Sequence, residues 1–411
     1  MDRIKESLKN KRIVFWEEIA RDGAQAKTIL SAKERIDIAL KHGSMFNEHG
    51  PDHLVFGVGF ISISPQEAMI IEETSEQVDN CYLGVNCRSN EKEIMASYQA
   101  VKKAKYGRIA YVLPASERLC EVMLHKSPKE TLARGIELAR FALDNTQGMP
   151  IDVQLAGAFD GNPSFVAELA SALTEEGIAT VGMGDTRGGI YPCETDRFLD
   201  ELLDKSSDEV LYSVHFHDDL GFSLTNNLKA IEKGILLPST SWLGLAERNG
   251  LLRTELLTVL LAHEPKKLKS RLNIEGEKLF KSPPNLKLIK EIAETVSRYT
   301  GIPIKITDPI VGPGLNSIST GTPFVDRDSF RPFNPQEVLG IPEEIYVTHL
   351  ASIRLIKTVS KEMGYYFAEK ELKLILNELK EKVYKSKQAV IQRNELKLIF
   401  EKYSTNETGS R

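Results

Sequence analysis

The chain has 411 residues, 41% hydrophobic and 27% charged, with a formal net charge of -5. That is enough apolar material for one large core and something smaller, while a slightly acidic balance disfavours nucleic acid, whose binders gather Lys and Arg on one face. The first twelve residues are charged and no stretch approaches the roughly 20 apolar residues of a membrane span, so a cytoplasmic protein without membrane contact is expected.

From about residue 12 to 265, short β-branched or apolar runs alternate with longer helical patterns, the signature of repeated βα units and a parallel sheet. Strands are expected at 13–16, 53–58, 81–86, 108–113, 151–155, 180–184, 211–217 and 239–243. Amphipathic helices are expected between them at 32–42, 65–73, 91–104, 128–144, 163–176, 194–203 and 224–233. Eight such units over roughly 250 residues fit a TIM (β/α)8 barrel better than an open doubly wound sheet, and no Gly-rich dinucleotide or phosphate fingerprint follows a strand. The barrel is assigned to residues 1–275, with 266–277 a polar, lysine-rich connector. Residues 276–411 form a C-terminal arm and helical subdomain. Within it 285–300 reads as a helix, a Pro- and Gly-punctuated arm follows, and 343–403 holds two or three helices before a disordered tail at 404–411. The four cysteines lack the close pairing of a zinc site and are expected to be reduced, with Cys87 and Cys193 as buried thiols.

The chemistry gathers where strands end, because a TIM barrel builds its active site there. His215-Phe216-His217 closes the seventh strand, and two imidazoles two residues apart on a strand share a face. Alone, such a pair is more often structural. The first strand, however, leads into Arg21-Asp22-Gly23-Ala24-Gln25, and Asp22 on the same face would complete a set of two histidines and one carboxylate with open positions. Such a set suits Mg, Mn, Fe, Co or Zn and leaves room for a substrate to chelate. Arg88, closing the third strand, is another candidate at the mouth, though a surface ion pair explains it equally well.

Three motifs come in a telling order: Arg21-Asp22-Gly23-Ala24-Gln25, Gly184-Asp185-Thr186-Arg187-Gly188, and His215-Phe216-His217-Asp218-Asp219-Leu220-Gly221 with Asn226. In these the chain resembles the DRE-TIM metallolyase superfamily, which includes 2-isopropylmalate, homocitrate, citramalate and Re-type citrate synthases and hydroxymethylglutaryl-CoA lyase. The resemblance covers the barrel and extends more weakly into the arm, at Pro309-Ile310-Val311-Gly312 and from Phe333-Asn334-Pro335 to Gly340, which favours the synthases. It implies Asp22, His215 and His217 as ligands of a divalent ion (Mg, Mn, Zn or Co) and Arg21 as the group that stabilises a developing negative oxygen. It implies Thr186 as a contact for the carboxylate of a 2-oxo acid, with Gln25 a further polar contact. The implied reaction is a Claisen-type condensation of acetyl-CoA with a 2-oxo acid in a homodimer. A carbon-carbon lyase and a metal-binding homologue without catalysis stay open as alternatives.

The sequence also departs from the synthases. The second strand ends in Phe56-Gly57-Val58-Gly59-Phe60, where the family carries a glutamate. After the eighth strand Glu247 and Arg248 match, but the family's asparagine position falls on Leu251, so Asn249 becomes a further metal ligand only if the loop shifts. The arm lacks the family's histidine around Ser319-Thr320-Gly321-Thr322-Pro323, leaving His349 as the remaining candidate base. The lyase's loop cysteine is missing from the stretch after Gly244.

Overall fold

A computed structural model describes residues 2–263, 270, 278–323 and 326–404. The expected connector at 266–277, apart from residue 270, and the tail beyond 404 lie outside the described residues. The chain divides into two compact units, Met1–Ile304 and Lys305–Arg411.

The first unit is a barrel of eight parallel strands. They are β1 (Phe15–Glu17), β2 (Leu54–Phe60), β3 (Tyr82–Arg88), β4 (Gly107–Pro114), β5 (Ile151–Ala156), β6 (Thr180–Asp185), β7 (Tyr212–Phe216) and β8 (Ser239–Thr240). The sheet order is β7-β6-β5-β4-β3-β2-β1-β8. It closes where Val214 pairs in parallel with Pro238 and the Val214 amide donates to Leu237 at 3.1 Å. Each expected strand is present within a few residues. The eighth is the shortest, because Leu243 turns into the left-handed region (φ 60°) and sends the chain into a 3-10 turn at Trp242–Gly244.

Parallel strands buried on both faces need near-continuous apolar runs, and β2 and β3 supply them. The helices start where the sequence offers caps. Ser64, Asn90 and Ser127 accept the third helical amide of Pro65–Gln77, Glu91–Val101 and Pro128–Asn145, and proline opens the first and third of these, where its missing N–H costs nothing. Inside the barrel the indole of Trp16 fills the space that Gly84 leaves open; a Cβ at residue 84 would stand 2.9 Å from its ring. At the N-terminal ends of the strands the fully buried Arg108 is held bidentately by Asp152 (2.8 and 2.7 Å) and by Asp2 (2.8 Å), and Thr180 donates to Asp152 at 2.7 Å.

One helix and the cysteines complete this unit. The helix expected at 285–300 forms as Ile289–Thr300, but it packs on the barrel helix Ala32–Met45, where Lys41 donates to Thr295 and Tyr299 to Asp37. The compact division falls after Ile304. Cys87 is buried as expected; Cys193 is exposed, on the first turn of Pro192–Lys205.

The second unit has a parallel pair of two-residue strands, Ser317–Ile318 with Glu344–Ile345. Its three longest helices, Ile353–Glu362, Glu369–Ser386 and Arg393–Ser404, bury Leu355, Ile356, Leu372, Ile375, Leu379 and Phe400 against one another. Among the described residues, no helix is long and apolar enough to cross a membrane.

Candidate metal centre at the barrel mouth

Asp22, His215 and His217 come together at the C-terminal ends of β1 and β7. Each offers a ligand atom, and these atoms all lie within 4.8 Å of one another, the one such group among the described residues. The loop after β1 places Asp22. The Glu18 carbonyl accepts the amides of Arg21 (3.0 Å) and Gly23 (2.9 Å), which coils the chain tightly, and Asp22 then starts the 3-10 turn Gly23–Ala26. Glu17, at the end of β1, fastens this loop to the segment that follows β8. Its carboxylate accepts the amides of Ile19 (3.1 Å) and Trp242 (3.0 Å) and the hydroxyl of Thr254. From β7 the two imidazoles stand edge to face, ring centres 4.9 Å apart.

The electrostatics favour a cation. Burial opposes the charge of Asp22, but Arg21, His215 and His217 together outweigh it and hold the carboxyl well below the ordinary carboxylate range. Burial pushes His217 down to about 3, so its imidazole is neutral near pH 7 and keeps a lone pair. Among the described residues Asp22 Oδ2 and His217 Nδ1 are buried with no hydrogen-bond partner, and His215 Nε2 lies 3.4 Å from Asp22 Oδ2, near but not ideal for a hydrogen bond. Orphaned acceptors are costly inside a protein, and a carboxylate with two imidazoles is the donor set that divalent ions accept. The residues present therefore fit a divalent ion.

Around this group, Gln25 donates its amide to Asp22 Oδ1. Arg21 is clamped by Glu18, Nε to Oε2 at 2.8 Å and a second, shorter bond from Nη2 to Oε1, while Nη1 stands 3.6 Å from Asp22. Burial works against the Arg21 charge, but Glu18 and Asp22 prevail and raise its pKa. Thr186, just beyond β6, accepts the Gly157 amide at 2.8 Å, which leaves its own O–H proton free to donate. A cleft of about 630 Å³ opens beside it, lined by Ser116, Arg118, Leu119, Val122, Asp160 and Arg187. Arg248, in the left-handed region (φ 53°), ties three strand ends together by binding Asp219 beyond β7 and the Thr186 carbonyl.

Other candidates sit differently. Arg88 is exposed at the end of β3, with its guanidinium on Glu93 at 2.6 Å. Asn249 is exposed and donates to the Asp219 carbonyl at 3.4 Å, while the residue paired with His217 is the buried Leu251. His349 has its ring beside Tyr384 within the second unit.

One residue at the mouth escaped the sequence reading. The second strand lacks an acid, yet the space before Gly57 holds one. A Cβ at residue 57 would stand 2.8 Å from Glu18 Oε2 and 3.0 Å from the Glu17 carbonyl oxygen. The adjacent Glu17-Glu18 pair ahead of Arg21-Asp22 was the available signal, since two acids at the end of a buried strand demand partners.

The family model described as HMGL-like matches residues 12–296. The 2-isopropylmalate synthase of Salmonella arizonae is 26% identical over 365 residues, covering 87% of this chain and 66% of its own length. That of Heliobacterium modesticaldum is 25% identical over 370 residues, covering 88% and 69%. The chain thus spans just under two thirds of the first of these relatives. Among solved structures, the HMG-CoA lyase of Brucella melitensis superposes with a TM-score of 0.56 at 20% identity, over 71% of this chain and 99% of that one, a likeness of fold. With more than half its length matched by the family model, the barrel with its mouth of Arg21, Asp22, His215 and His217 belongs to the HMGL-like family of the DRE-TIM metallolyase superfamily.

Proposed function

We propose that the chain condenses an acyl-CoA, acetyl-CoA foremost, with a 2-oxo acid and releases CoA, using a divalent ion (Mg, Mn, Zn or Co) held by Asp22, His215 and His217. The observation that carries this reading is the convergence of those three ligand atoms within 4.8 Å beside a clamped guanidinium. The names of its synthase relatives support the transferase class.

When bound, a divalent ion polarises the carbonyl of a chelated 2-oxo acid as a Lewis acid. Arg21 uses Nε and one Nη2 proton on Glu18 and keeps its remaining N–H groups for the carbonyl oxygen, whose negative charge grows as the new bond forms. Thr186 donates its free proton to the substrate carboxylate, and Gln25 holds Asp22 in orientation. The acyl methyl carbon bonds to the carbonyl carbon after losing a proton to a base, and hydrolysis of the thioester releases the CoA thiol. Kinship with the synthases makes a homodimer the proposed assembly, which sedimentation of the purified chain tests.

The direct experiment mixes purified protein with acetyl-CoA, Mg or Mn and a panel of 2-oxo acids, and follows free thiol with a colorimetric reagent. Metal-dependent thiol release with at least one acid is expected. Product carbon-carbon cleavage without condensation would instead support the lyase, and metal binding without turnover would support a non-catalytic homologue.

A further inference from the structure

We infer that Glu18 is a positioning residue of the metal centre, which keeps Arg21 off Asp22 and braces His215 from the space that Gly57 leaves open. The inference rests on the reading of Asp22, His215 and His217 as metal ligands and goes beyond it by assigning the carboxylate behind them.

The geometry gives Glu18 little other purpose. It follows β1 directly, its backbone is fixed by the bond from its amide to Thr240 (2.8 Å), and its side chain is only 3% exposed. A buried carboxylate is tolerated only with charged or hydrogen-bonding partners. Glu18 finds one in Arg21, through both oxygens. Its Oε1 also lies 3.7 Å from His215 Nδ1, the ring nitrogen opposite the one that faces Asp22. That is outside hydrogen-bond range, so Glu18 acts on His215 as a nearby charge, and a small closure would make it the carboxylate behind a ligating histidine that fixes ring orientation and raises ligand basicity.

Arg21 Nη1 is already 3.6 Å from Asp22 Oδ1, beyond hydrogen-bond range but close enough for a small rotation to close the gap. An Arg21 released from Glu18 would turn onto Asp22, because a bidentate guanidinium-carboxylate pair is the strongest contact left to it. Asp22 would then offer its charge to Arg21 in place of a divalent ion. With Glu18 present, one guanidinium is matched by one carboxylate, and the charge of Asp22 stays available. The shape complement is Gly57: any larger residue there would place a Cβ 2.8 Å from Glu18 Oε2 and displace the carboxylate.

The test is calorimetric titration of metal-free protein with Mn2+, which reads affinity without turnover. Glu18→Gln keeps the shape and removes the charge; Gly57→Ala keeps Glu18 and moves it. Both are expected to weaken Mn2+ binding about 10- to 100-fold with far-UV circular dichroism unchanged, and Gly57→Ala carries the test should Glu18→Gln fail to fold. Wild-type affinity in the folded variants, with or without a lower melting temperature, would overturn the inference and leave Glu18 a purely structural residue. A wild-type chain that binds no divalent ion would overturn the metal reading itself, and this inference with it.

Discussion

Replacing Glu17 by glutamine removes an ionisation that burial makes costly. The Glu17 carboxyl is fully buried, and burial, reinforced by the nearby Glu255, pushes it from an ordinary 4.5 up to about 8 against the help of the Thr254, Trp242 and Ile19 hydrogen bonds. The folded chain therefore holds a proton that the unfolded chain releases between about pH 4.5 and 8. Stability falls as pH rises through that window, by up to ~1.4 kcal/mol per pH unit, on the order of 5 kcal/mol in all. Glutamine keeps an acceptor for the two backbone amides, and its NH2 group can donate to the Thr254 hydroxyl, so the contacts survive without the titration. Urea unfolding of wild type and Glu17→Gln at intervals from pH 5 to 9 checks this. The stability difference should move in favour of the variant as pH rises and level off above pH 8. A difference that stays flat across the series would show that Glu17 is not held protonated by the fold, and that the joint between β1 and the segment that follows β8 tolerates its charge.

The remaining outcomes concern the site and its support. His217→Ala should abolish both Mn2+ binding and metal-dependent thiol release while the barrel stays folded by circular dichroism; unchanged metal content would remove the proposed ligand set. Thr186→Val should raise KM for the 2-oxo acid more than it lowers kcat, and cost about 1 kcal/mol of stability through the lost Gly157 bond, measured by steady-state kinetics and urea unfolding. Asp152→Asn leaves Arg108 with Asp2 as its remaining carboxylate, and breaking one side of a buried pair should cost about 3 kcal/mol, read from the urea midpoint, with little effect on Mn2+ affinity because this network lies at the opposite end of the strands.

The barrel was legible because its signals are local. The runs at 54–60, 82–88 and 107–114 are apolar enough to be buried on both faces, and Ser64, Asn90 and Ser127 announce the helices that follow or flank them. Asp22, His215 and His217 were legible as well, because strand-end position in a barrel already says which way a side chain faces. What stayed hidden depended on contacts between distant residues. Glu18 looked like one more acid until its carboxylate was seen to fill the space before Gly57, a residue on another strand. Leu251 and Asn249 could be ranked only once the Leu251 backbone was seen paired with His217. The place of the helix Ile289–Thr300 against the barrel was likewise hidden, because Lys41 and Asp37 hold Thr295 and Tyr299 from more than 200 residues away.

By itself, then, the sequence determined the repeating βα plan and the two strand ends that carry the carboxylate and the histidines, since periodicity and capping act within a few residues. Tertiary structure alone decided which polar neighbours each of these groups meets. Burial and charge partners, which make Asp22 an anion, keep His217 neutral and set Glu18 behind Arg21, are properties of the closed barrel and not of any one segment.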